Sequence, residues 1–509
     1  MNPATQREEL LLGIDFGTGG CKLSLITPRG EVVASFSKEY PTQHPRAGWA
    51  EQDAADWYPA MVECLKMVWT KTAITPDRIA ALAIDGSTHN AVLLDGAMKP
   101  LRRVIMWTDQ RSAPESEWLG ANHGEQIFRL THHRATPTWT LPQLRWLHEH
   151  EREILPATRH VLFVKDYVRY LLTEELCTDH VDAQGTLLYD VTRGRWSEEL
   201  CELAGLKITT LPAIVKPSAV AGRVTARAAK ETGLLEGTPV ICGSSDTALE
   251  AYAAGAVEAG QCIVKLATAG NVNVMTDAPR PHAQTLTYSQ VVPGMWYTAT
   301  ATNSAAVSMR WFRDRFCASE LDAAARAGGS AYSLMGEAAA KSPIGARGLF
   351  FHPYLQGERS PYWDPQLRAS FTGITAQHER GDFIRAVMEG VAFSLRDCRR
   401  VIDQLNLPVR EIRLIGGGAK DPLWAQIVCD VMNVPLTLPA FSDASCGAAM
   451  LAGVGVGIFR DERDAVKKCA HNVSQLTPAA AAAESYERLF ARYRRIHDVL
   501  AEVYHEPIL

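Results

Sequence analysis

The sequence has no long hydrophobic run. Its 509 residues include no stretch of about 18 apolar residues, the length that a membrane-spanning helix requires. The opening segment, MNPATQREELLLG, is polar and then only briefly apolar, so it lacks the extended hydrophobic region of a signal peptide. We therefore expect a cytoplasmic protein that does not bind membranes.

An excess of positive charge is also missing. The formal net charge is −5, and no cluster of lysine and arginine with interleaved aromatic residues occurs. Nucleic-acid-binding proteins usually carry a basic stripe or patch, so this class is disfavoured. Small anionic ligands stay open, because backbone N–H groups can bind phosphates without excess positive charge. The partner that we expect is a small molecule and not a nucleic acid.

Cysteine pairs are absent as well. The 11 cysteines are odd in number and include no C-x-x-C motif, which is typical of buried thiols in a reducing compartment. Histidines 132/133 and 148/150 lack the spacing of zinc ligands, and "HEH" at 148–150 places its imidazoles on different faces of a helix. We do not expect these histidines to bind a metal.

The common nucleotide-binding motifs do not occur. The segment GIDFGTGGCK does not fit the P-loop pattern G-x-x-x-x-G-K-[ST]. Lys22 stands where a G-x-G-x-x-G motif beginning at Gly17 needs its last glycine. A P-loop NTPase and a Rossmann dehydrogenase are therefore both disfavoured.

What the chain does contain is a mixture of strands and helices. The segment ELLLGIDFGTGGCKLSLITPRGEVVASF predicts a β-hairpin that extends into a meander. Strand-like IAALAIDG and AVLLD follow, together with the amphipathic ADWYPAMVECLKMVW. The chain is too long for a single core. We therefore predict an α/β protein with two or three domains.

A second hairpin resembles the first. In AGQCIVKLATAGNVNVM an apolar strand, a turn of small residues and an alternating strand recur, with Thr268 aligned to Thr18 and Gly270 to Gly20. The repeat predicts two similar domains, and the Ala/Gly-rich AAGAVEAGQ is a candidate boundary. We place the domains at residues 10–256 and 257–505.

Three turns consist of small residues: 17–20, 268–270 and 416–419. Small side chains allow close approach of a ligand to the backbone, and successive N–H groups form a concavity for anions. The third turn lies between a predicted strand and a predicted helix, where amides also face a helix N-terminus. The alternative is that these glycines only form tight turns.

Two aspartates stand out near such turns. Asp15 lies in the apolar opening hairpin, where a carboxylate is costly to bury unless it is paired or near a metal such as Mg²⁺. The alternative is that Asp15 accepts hydrogen bonds from turn amides. Asp246 lies at a strand-to-helix corner, where it could be a helix N-cap, although Ser244, Ser245 and Thr247 could each cap this helix equally well.

The last helix is predicted to start at Thr477 and Pro478, an N-cap and first-turn pair. Apolar residues then recur at spacings of three and four, which predicts a stripe that packs on the core. The stripe comprises Tyr486, Leu489, Phe490, Tyr493, Ile496, Leu500 and Val503.

Taken in order, the blocks LGIDFGTGG, YLQGERSPYWDP, ASFTGITAQHERGDFIRAVME, LIGGGAKDPLW and CGAAMLAG resemble the FGGY carbohydrate kinases. The third block carries the family signature, and the resemblance spans about residues 10 to 500. It implies an α/β fold of two actin-like (ribonuclease H-like) domains flanking an ATP and sugar cleft. It also implies ATP as phosphoryl donor and Mg²⁺ as cofactor.

The same resemblance assigns roles to individual residues. It implies that Asp246 is the general base and that Asp15 and Asp246 lie at the metal. The nucleotide would bind at Asp15, Gly17, Thr18, Thr268, Gly270, Gly417, Gly418 and Ala419, with the last three residues facing adenosine.

Within the family, AGWAEQDAADWYPA and VIMWTDQR most resemble the xylulokinase type, which implies phosphorylation of D-xylulose to D-xylulose 5-phosphate. Candidate sugar contacts are Thr88, His89, Trp107, Asp109, Asp246 and Thr247. The chain departs from the type in DGSTHNA, where Thr88 replaces a methionine and Asp85 is an added acid, and at Ala269 in LATAG, where the family often has GTSG.

Several alternatives remain open at this stage. These departures leave open another ketose or polyol, such as ribulose, L-xylulose or erythritol, as substrate. Trp107 could equally be a core residue. An actin- or Hsp70-like ATPase module and an inactive sugar sensor are less favoured functions. The sequence also leaves a homodimer open.

Overall fold

The computed structural model describes residues 9–506. These residues form two compact units. Unit 1 comprises the chain up to Val257 together with the segments Thr287–Trp296 and Phe441–His471. Unit 2 comprises Glu258–Leu286, Tyr297–Ala440 and the chain from Asn472 onwards. The units therefore differ from two continuous ranges divided between residues 256 and 257, because the chain returns twice to unit 1.

The strands of the described chain are β1 Leu10–Gly17, β2 Gly20–Ile26, β3 Val32–Glu39, β4 Glu51–Gln52, β5 Ile79–Gly86, β6 Ala91–Leu94, β7 Val104–Ile105, β8 His160–Phe163, β9 Cys177–Asp179, β10 Tyr189–Asp190, β11 Arg195–Trp196, β12 Ala213–Val215, β13 Val220–Arg223, β14 Pro239–Ile241, β15 Gln261–Leu266, β16 Gly270–Thr276, β17 Leu286–Ser289, β18 Trp296–Thr302, β19 Phe350–His352, β20 Ser370–Thr372, β21 Glu411–Ile415, β22 Leu436–Pro439 and β23 Asn472–Leu476.

The α-helices are α1 Trp57–Lys71, α2 Ala113–Thr131, α3 Thr140–His150, α4 Ile154–Ala157, α5 Val164–Thr173, α6 His180–Gln184, α7 Glu198–Ala204, α8 Ala226–Thr232, α9 Asp246–Ala253, α10 Ala306–Phe316, α11 Ala318–Ala327, α12 Ala331–Ala340, α13 Arg380–Gln404, α14 Pro422–Met432, α15 Ala444–Gly455, α16 Glu462–Cys469 and α17 Ala480–Tyr504.

Unit 1 is built on a six-stranded sheet with the order β13-β14-β5-β1-β2-β3. Strands β1, β2 and β3 form the predicted antiparallel meander, and β5 and β14 join it as parallel strands. The central strand β5 is apolar over most of its length and buried almost throughout, as expected of a parallel strand covered on both faces. The predicted hairpin is confirmed.

Helix α15 packs directly on β1, although hundreds of residues separate them in sequence. A Cβ atom added to Gly13 would lie 1.7 Å from the backbone oxygen of Ser445. Because that distance is far below van der Waals contact, only glycine allows the helix backbone to approach this closely. The small residues of α15 thus serve a packing role in unit 1, since a Cβ atom added to Gly447 would lie 2.3 Å from the Leu249 oxygen.

Unit 2 repeats this arrangement. In a seven-stranded sheet of order β17-β18-β16-β15-β21-β22-β23, strand β15 of the β15–β16 hairpin pairs with the parallel strand β21, and β21 pairs in turn with the parallel strand β22. Gly20 begins β2 and Gly270 begins β16, so the aligned glycines occupy equivalent positions. The second turn is one residue longer, because Gly17 pairs with Gly20 whereas Leu266 pairs with Gly270. The prediction of an α/β protein with two similar domains is confirmed.

The prediction for the last helix is partly wrong. Helix α17 begins at Ala480 and not at Thr477, because Ala479 is still extended and donates its N–H to Asp430 at 2.9 Å. The core-facing stripe is confirmed at Tyr486, Phe490 and Tyr493, which are buried. It ends before the helix does, and Val503 is exposed.

Two further expectations concern the whole chain. All 11 cysteines are buried free thiols, as predicted. Between residues 9 and 506, no helix has both the length and the hydrophobicity needed to cross a membrane.

Candidate active site

The carboxyl ends of three parallel strands meet at one edge of the unit 1 sheet. Asp15 on β1 is in register with Asp85 on β5, and Gly86 forms a bridge with Ser245, which follows β14. This register brings the predicted residues Asp15 and Asp246 to the same edge. In open α/β sheets, ligands bind outside the carboxyl ends of the strands.

A tight corner positions Asp246 after β14. Gly243 has φ +77, and a Cβ atom there would lie 1.7 Å from the Ile84 oxygen, so the corner requires glycine. Ser245, and not Asp246, is the N-cap of α9, with its hydroxyl accepting from Ala248 N–H. Asp246 is the first helical residue, and its Oδ1 accepts from Thr247 N–H at 2.6 Å and from the Thr247 hydroxyl at 3.2 Å.

The Asp15 carboxyl lies in a field of negative charge. Burial raises its pKa to about 7, and the charges of Asp246, Asp443 and Glu250 add to this effect. A hydrogen bond to Asp85 opposes the rise. Asp15 thus titrates near neutral pH in the protein without metal.

Asp85 lies behind Asp15 and is fully buried. Neither of its oxygens accepts a hydrogen bond from a donor group of the protein. Burial raises the Asp85 pKa well above its usual range, and the Asp15 charge raises it further. Two facing carboxyls of this kind share a proton, because both cannot be charged at close range without a cation.

One buried oxygen of Asp15 is available to a divalent cation. Oδ1 of Asp15 is buried without a hydrogen-bond partner, and several carboxylates converge on this edge of unit 1. Lys22, opposite Asp15 on β2, forms an ion pair with Asp443. Carboxylate oxygens are the ligands that Mg²⁺ prefers, so the donor set suits this ion.

The turn at Thr18 is tied to two neighbouring loops. The indole N–H of Trp107 donates to the Thr18 hydroxyl at 2.9 Å, and the backbone N–H of Trp107 donates to Asn90 at 2.6 Å. Gln52 donates to the Thr18 carbonyl at 2.7 Å. These bonds bring together the first small-residue turn, the segment at 88–90 and the loop that begins at Trp107.

His89 adopts a left-handed conformation, with φ +76, at the end of β5. Burial lowers its pKa to about 4, so the imidazole is neutral at physiological pH. Its Nδ1 hydrogen-bonds the Gly185 carbonyl, so Nδ1 carries the proton and Nε2 is an acceptor. The imidazole ring packs edge to face against the Trp139 indole, with 4.6 Å between the ring centroids. Thr88, beside it, is partly exposed.

Asp109 is buried and fully hydrogen-bonded. Its carboxylate accepts from the Arg111 backbone at 2.8 Å, from the Arg111 guanidinium at 2.9 and 2.7 Å, and from Ala50 N–H at 2.6 Å. A carboxylate offers about four acceptor positions, and these bonds use them. Asp109 holds its loop in place, and its direct contact with a sugar stays a prediction.

In unit 2, the turns at 268–270 and 416–419 lie side by side because β15 and β21 are parallel neighbours. Thr268 is exposed, and its carbonyl accepts from Ala305 N–H at 3.0 Å at the start of α10. Gly270 has a packing role, since an added Cβ would lie 2.8 Å from Leu395 and from Thr302.

The glycines of the third turn have different surroundings. A Cβ at Gly418 would lie 2.5 Å from the Leu266 side chain, whereas a Cβ at Gly417 would meet nothing within 4 Å. Ala419 donates to the Gly416 carbonyl at 3.2 Å. Asp421 then caps α14. Gly417 is thus the member of this turn that leaves open space above the backbone.

Sequence reasoning missed several residues of the unit 1 cluster. Asp443 is the N-cap of α15 and pairs with Lys22, from which 421 residues separate it. The signal was present, since an aspartate immediately precedes the small-residue helix. Glu250, one turn into α9, and Trp139, beside His89, carried no such signal.

Comparison with known proteins is consistent across the chain. The model of the N-terminal domain of the FGGY family of carbohydrate kinases matches residues 10–252, and that of the C-terminal domain matches residues 263–456. The chain is 31% identical to the xylulose kinase of Bacillus subtilis (strain 168) over 490 residues, which cover 96% of each protein. It is 27% identical to the gluconokinase of the same organism over 498 residues, covering 97% of this chain and 96% of that one.

Solved structures agree with these matches. The crystal structure of a xyloylose kinase from Brucella ovis superposes with a TM-score of 0.87 at 29% sequence identity. The match covers 97% of this chain and 100% of the other.

Proposed function

Since the chain belongs to the FGGY family of carbohydrate kinases, we propose that it transfers the γ-phosphoryl group of ATP to D-xylulose, forming D-xylulose 5-phosphate. The observation that carries the proposal is the corner at Asp246. It presents a partly exposed carboxylate, held by the first turn of α9, at the strand edge where the acidic cluster converges. Xylulose kinases among the relatives support the choice of sugar.

Asp246 is the general base in this proposal. The carboxylate accepts the proton of the attacking sugar hydroxyl as the new P–O bond forms and the bond to ADP breaks. Its position in the first turn of α9, together with the Thr247 N–H bond of 2.6 Å, favours the ionised and oriented form. General-base assistance of this kind contributes about 10²–10⁴-fold to the rate.

Asp15 and Asp246 would hold Mg²⁺, with the buried Oδ1 of Asp15 as one ligand atom. When bound, the ion neutralises charge on the ATP phosphates. The Lys22–Asp443 ion pair lies at the same edge of unit 1, since Lys22 is opposite Asp15 on β2.

The small-residue turns would bind the nucleotide. Gly17, Thr18, Thr268 and Gly270 would offer backbone amides to the phosphates. Gly417, Gly418 and Ala419 would face adenosine, with exposed Gly417 allowing the closest approach.

The sugar would contact Thr88, His89, Trp107, Asp109, Asp246 and Thr247. The neutral imidazole of His89 accepts a hydrogen bond from a sugar hydroxyl at Nε2, because Nδ1 is committed to Gly185. Asp109 would fix the loop of Trp107 from behind, with its oxygens on Arg111 and Ala50. Stacking of the sugar on the Trp107 indole would add apolar contact.

A neutral substrate is favoured over a sugar acid. The charges of Asp246, Asp443 and Glu250 act on Asp15 at this edge of the sheet, so a substrate carboxylate bound there would meet repulsion. Another neutral ketose or a polyol is the second candidate, because Thr88 offers a hydrogen bond where the xylulokinase type has a methionine.

A panel of free sugars and polyols tests the proposal. ATP consumption with Mg²⁺ should be highest, as kcat/KM, with D-xylulose. The panel should include ribulose, L-xylulose, erythritol and gluconate. A higher kcat/KM with one of these compounds would show that it, and not D-xylulose, is the preferred substrate. Turnover with no compound of the panel, D-xylulose included, would overturn the kinase mechanism. An ATPase module would instead hydrolyse ATP equally with and without sugar.

A further inference from the structure

A buried network of charged side chains lies directly behind the corner of Asp246. It consists of Lys165, Asp166 and Arg169 on α5, together with Asp179 and Asp182 around the start of α6. All are at least 97% buried. The mechanism proposed above uses none of them.

Lys165 is the hub of this network. Its Nζ lies 2.6 Å from Asp166, 3.0 Å from Asp179 and 3.1 Å from Asp182. Burial favours the neutral amine, but the aspartates outweigh burial and hold the Lys165 pKa well above its usual range. Burial raises the Asp182 pKa well above its usual range, which removes the surplus negative charge of the group.

The network binds the Asp246 corner on both sides of Gly243. Arg169 donates to the Cys242 carbonyl at 2.9 Å and to Asp166 at 2.7 Å. The Ser244 hydroxyl, which is fully buried, donates to Asp179 at 2.9 Å. Two residues after Ser244, the chain reaches Asp246.

Such a network is poorly explained by stability alone. Buried ion groups pay a large desolvation cost, and replacing them by apolar residues is often neutral or stabilising. What they do provide is fixed geometry. A displacement of about 1 Å in a reacting group can lower a rate by about 10²-fold.

We propose that the Lys165 network is a positioning device for the reaction, in which Asp179 and Arg169 clamp Ser244 and Cys242 and so fix the direction of the Asp246 carboxylate. This inference rests on the proposed function, because it takes Asp246 as the base. Ser244 and Asp179 are positioning residues and contact no substrate.

Ser244→Ala is the sharpest test, because it removes one bond to the corner and leaves every charge of the network in place. We expect kcat with Mg²⁺–ATP and the best sugar of the panel to fall roughly tenfold to 10²-fold. KM for both substrates should stay within about twofold, as for an interaction that matters in the transition state.

Ser197→Ala is the matched control. Ser197 is also a buried serine of unit 1 and caps α7 by accepting from Leu200 N–H at 3.3 Å. Its loss should lower the Tm without changing kcat. Equal losses of kcat in the Ser197 and Ser244 variants would overturn the positioning role, because they would reflect general destabilisation.

Asp246→Ala separates the two levels of the proposal. If Asp246→Ala is inactive and Ser244→Ala turns over normally, the network has no positioning role and the base assignment stands. If Asp246→Ala turns over normally, the base assignment and the inference built on it both fail. Reduced kcat at unchanged KM in Ser244→Ala, with an inactive Asp246→Ala and a normal Ser197→Ala, supports both.

Discussion

At the scale of single residues, the site depends on which carboxyl groups have partners. Asp246 accepts two bonds from Thr247 at the start of a helix, which orient its carboxylate. Asp15 and Asp85 face each other at a buried position, which favours a shared proton. The same edge of the sheet therefore holds Asp246 beside a pair of which Asp15, with a pKa of about 7, is the more acidic member.

Replacement of Asp246 by alanine should abolish turnover and leave folding intact. The side chain lies at the first position of α9, where Ser245 supplies the cap, so its loss removes little helix stability. We expect sugar-dependent ATP turnover to fall by at least about 10²-fold. Nucleotide binding by calorimetry and the Tm should stay close to those of the parent. Near-normal turnover would remove Asp246 from the role of base.

Replacement of Asp85 by asparagine should stabilise the metal-free protein as pH rises. An acid whose pKa is raised on folding holds its proton in the folded state after the unfolded chain has released it. The Asp85 carboxyl therefore lowers the free energy of unfolding at pH values above its unfolded-state pKa of 3.8. This cost grows with pH until the folded-state pKa is passed. Each unit of pKa difference corresponds to about 1.4 kcal/mol.

Thermal unfolding in EDTA at pH 5 and pH 8 measures this effect. The gain in Tm of Asp85→Asn over the parent should be larger at the higher pH. Asp95→Asn is the control, because hydrogen bonds from the Lys99 and Ala97 backbone lower the Asp95 pKa, so its loss gives no gain at high pH. A Tm difference for Asp85→Asn that does not vary with pH would contradict the shared-proton interpretation.

Sequence alone could identify Asp15 and Asp246, since both lie where an apolar strand ends in a turn of small or polar residues. It could mark Asp443 as a helix cap but could not show its contact with Lys22, which comes from the other end of the chain. Nor could it show that Asp109 is saturated by Arg111 and Ala50, since a hydrogen-bond count needs three-dimensional positions.

At the scale of secondary-structure elements, the small residues of a turn serve two purposes: some allow close packing of neighbouring residues, and others leave the backbone open to a ligand. Gly418 and Gly270 leave no room for a side chain because other residues fill the space. Gly417 is open, so its smallness has no packing explanation. The distinction is invisible in the string GGGA.

Two alanine variants separate these requirements. Gly418→Ala would place a methyl group 2.5 Å from Leu266, and overpacking of this kind costs about 1–3 kcal/mol, so its Tm should fall. Gly417→Ala should keep the parental Tm and raise KM for ATP, by up to about tenfold, if adenosine lies against it. Thermal scans and ATP titrations of both variants decide the matter. An unchanged KM for ATP in Gly417→Ala would show that adenosine does not bind against Gly417.

Most elements were predictable because their apolar periodicity is strong, as in β5 and the long helix α13. The start of α17 was not. Thr477 and Pro478 form a good helix-start pair in isolation, but the bond from Ala479 to Asp430 keeps the chain extended past them. A tertiary contact there outweighs a local preference.

At the scale of the whole molecule, both the repeated fold and the division into units depend on segments that are far apart in the sequence. The aligned hairpins predicted two similar domains, and the structure has two similar sheets. The return of residues 441–471 to unit 1 gave no sequence signal, because a small-residue helix suits either unit.

A fragment ending at residue 257 should therefore fail to fold. It would lack α15, which packs against Gly13 on the central part of the unit 1 sheet. We expect a broad, weakly cooperative thermal transition and strong binding of a hydrophobic dye. Linking residues 441–471 to this fragment should restore a sharper transition. A fragment that unfolds cooperatively without that segment would show that α15 is dispensable.

The late position of α15 also has a consequence during protein synthesis. The ribosome releases the opening strands long before it makes the helix that covers them. We therefore expect the apolar residues of these strands to stay exposed on the nascent chain until α15 has been synthesised.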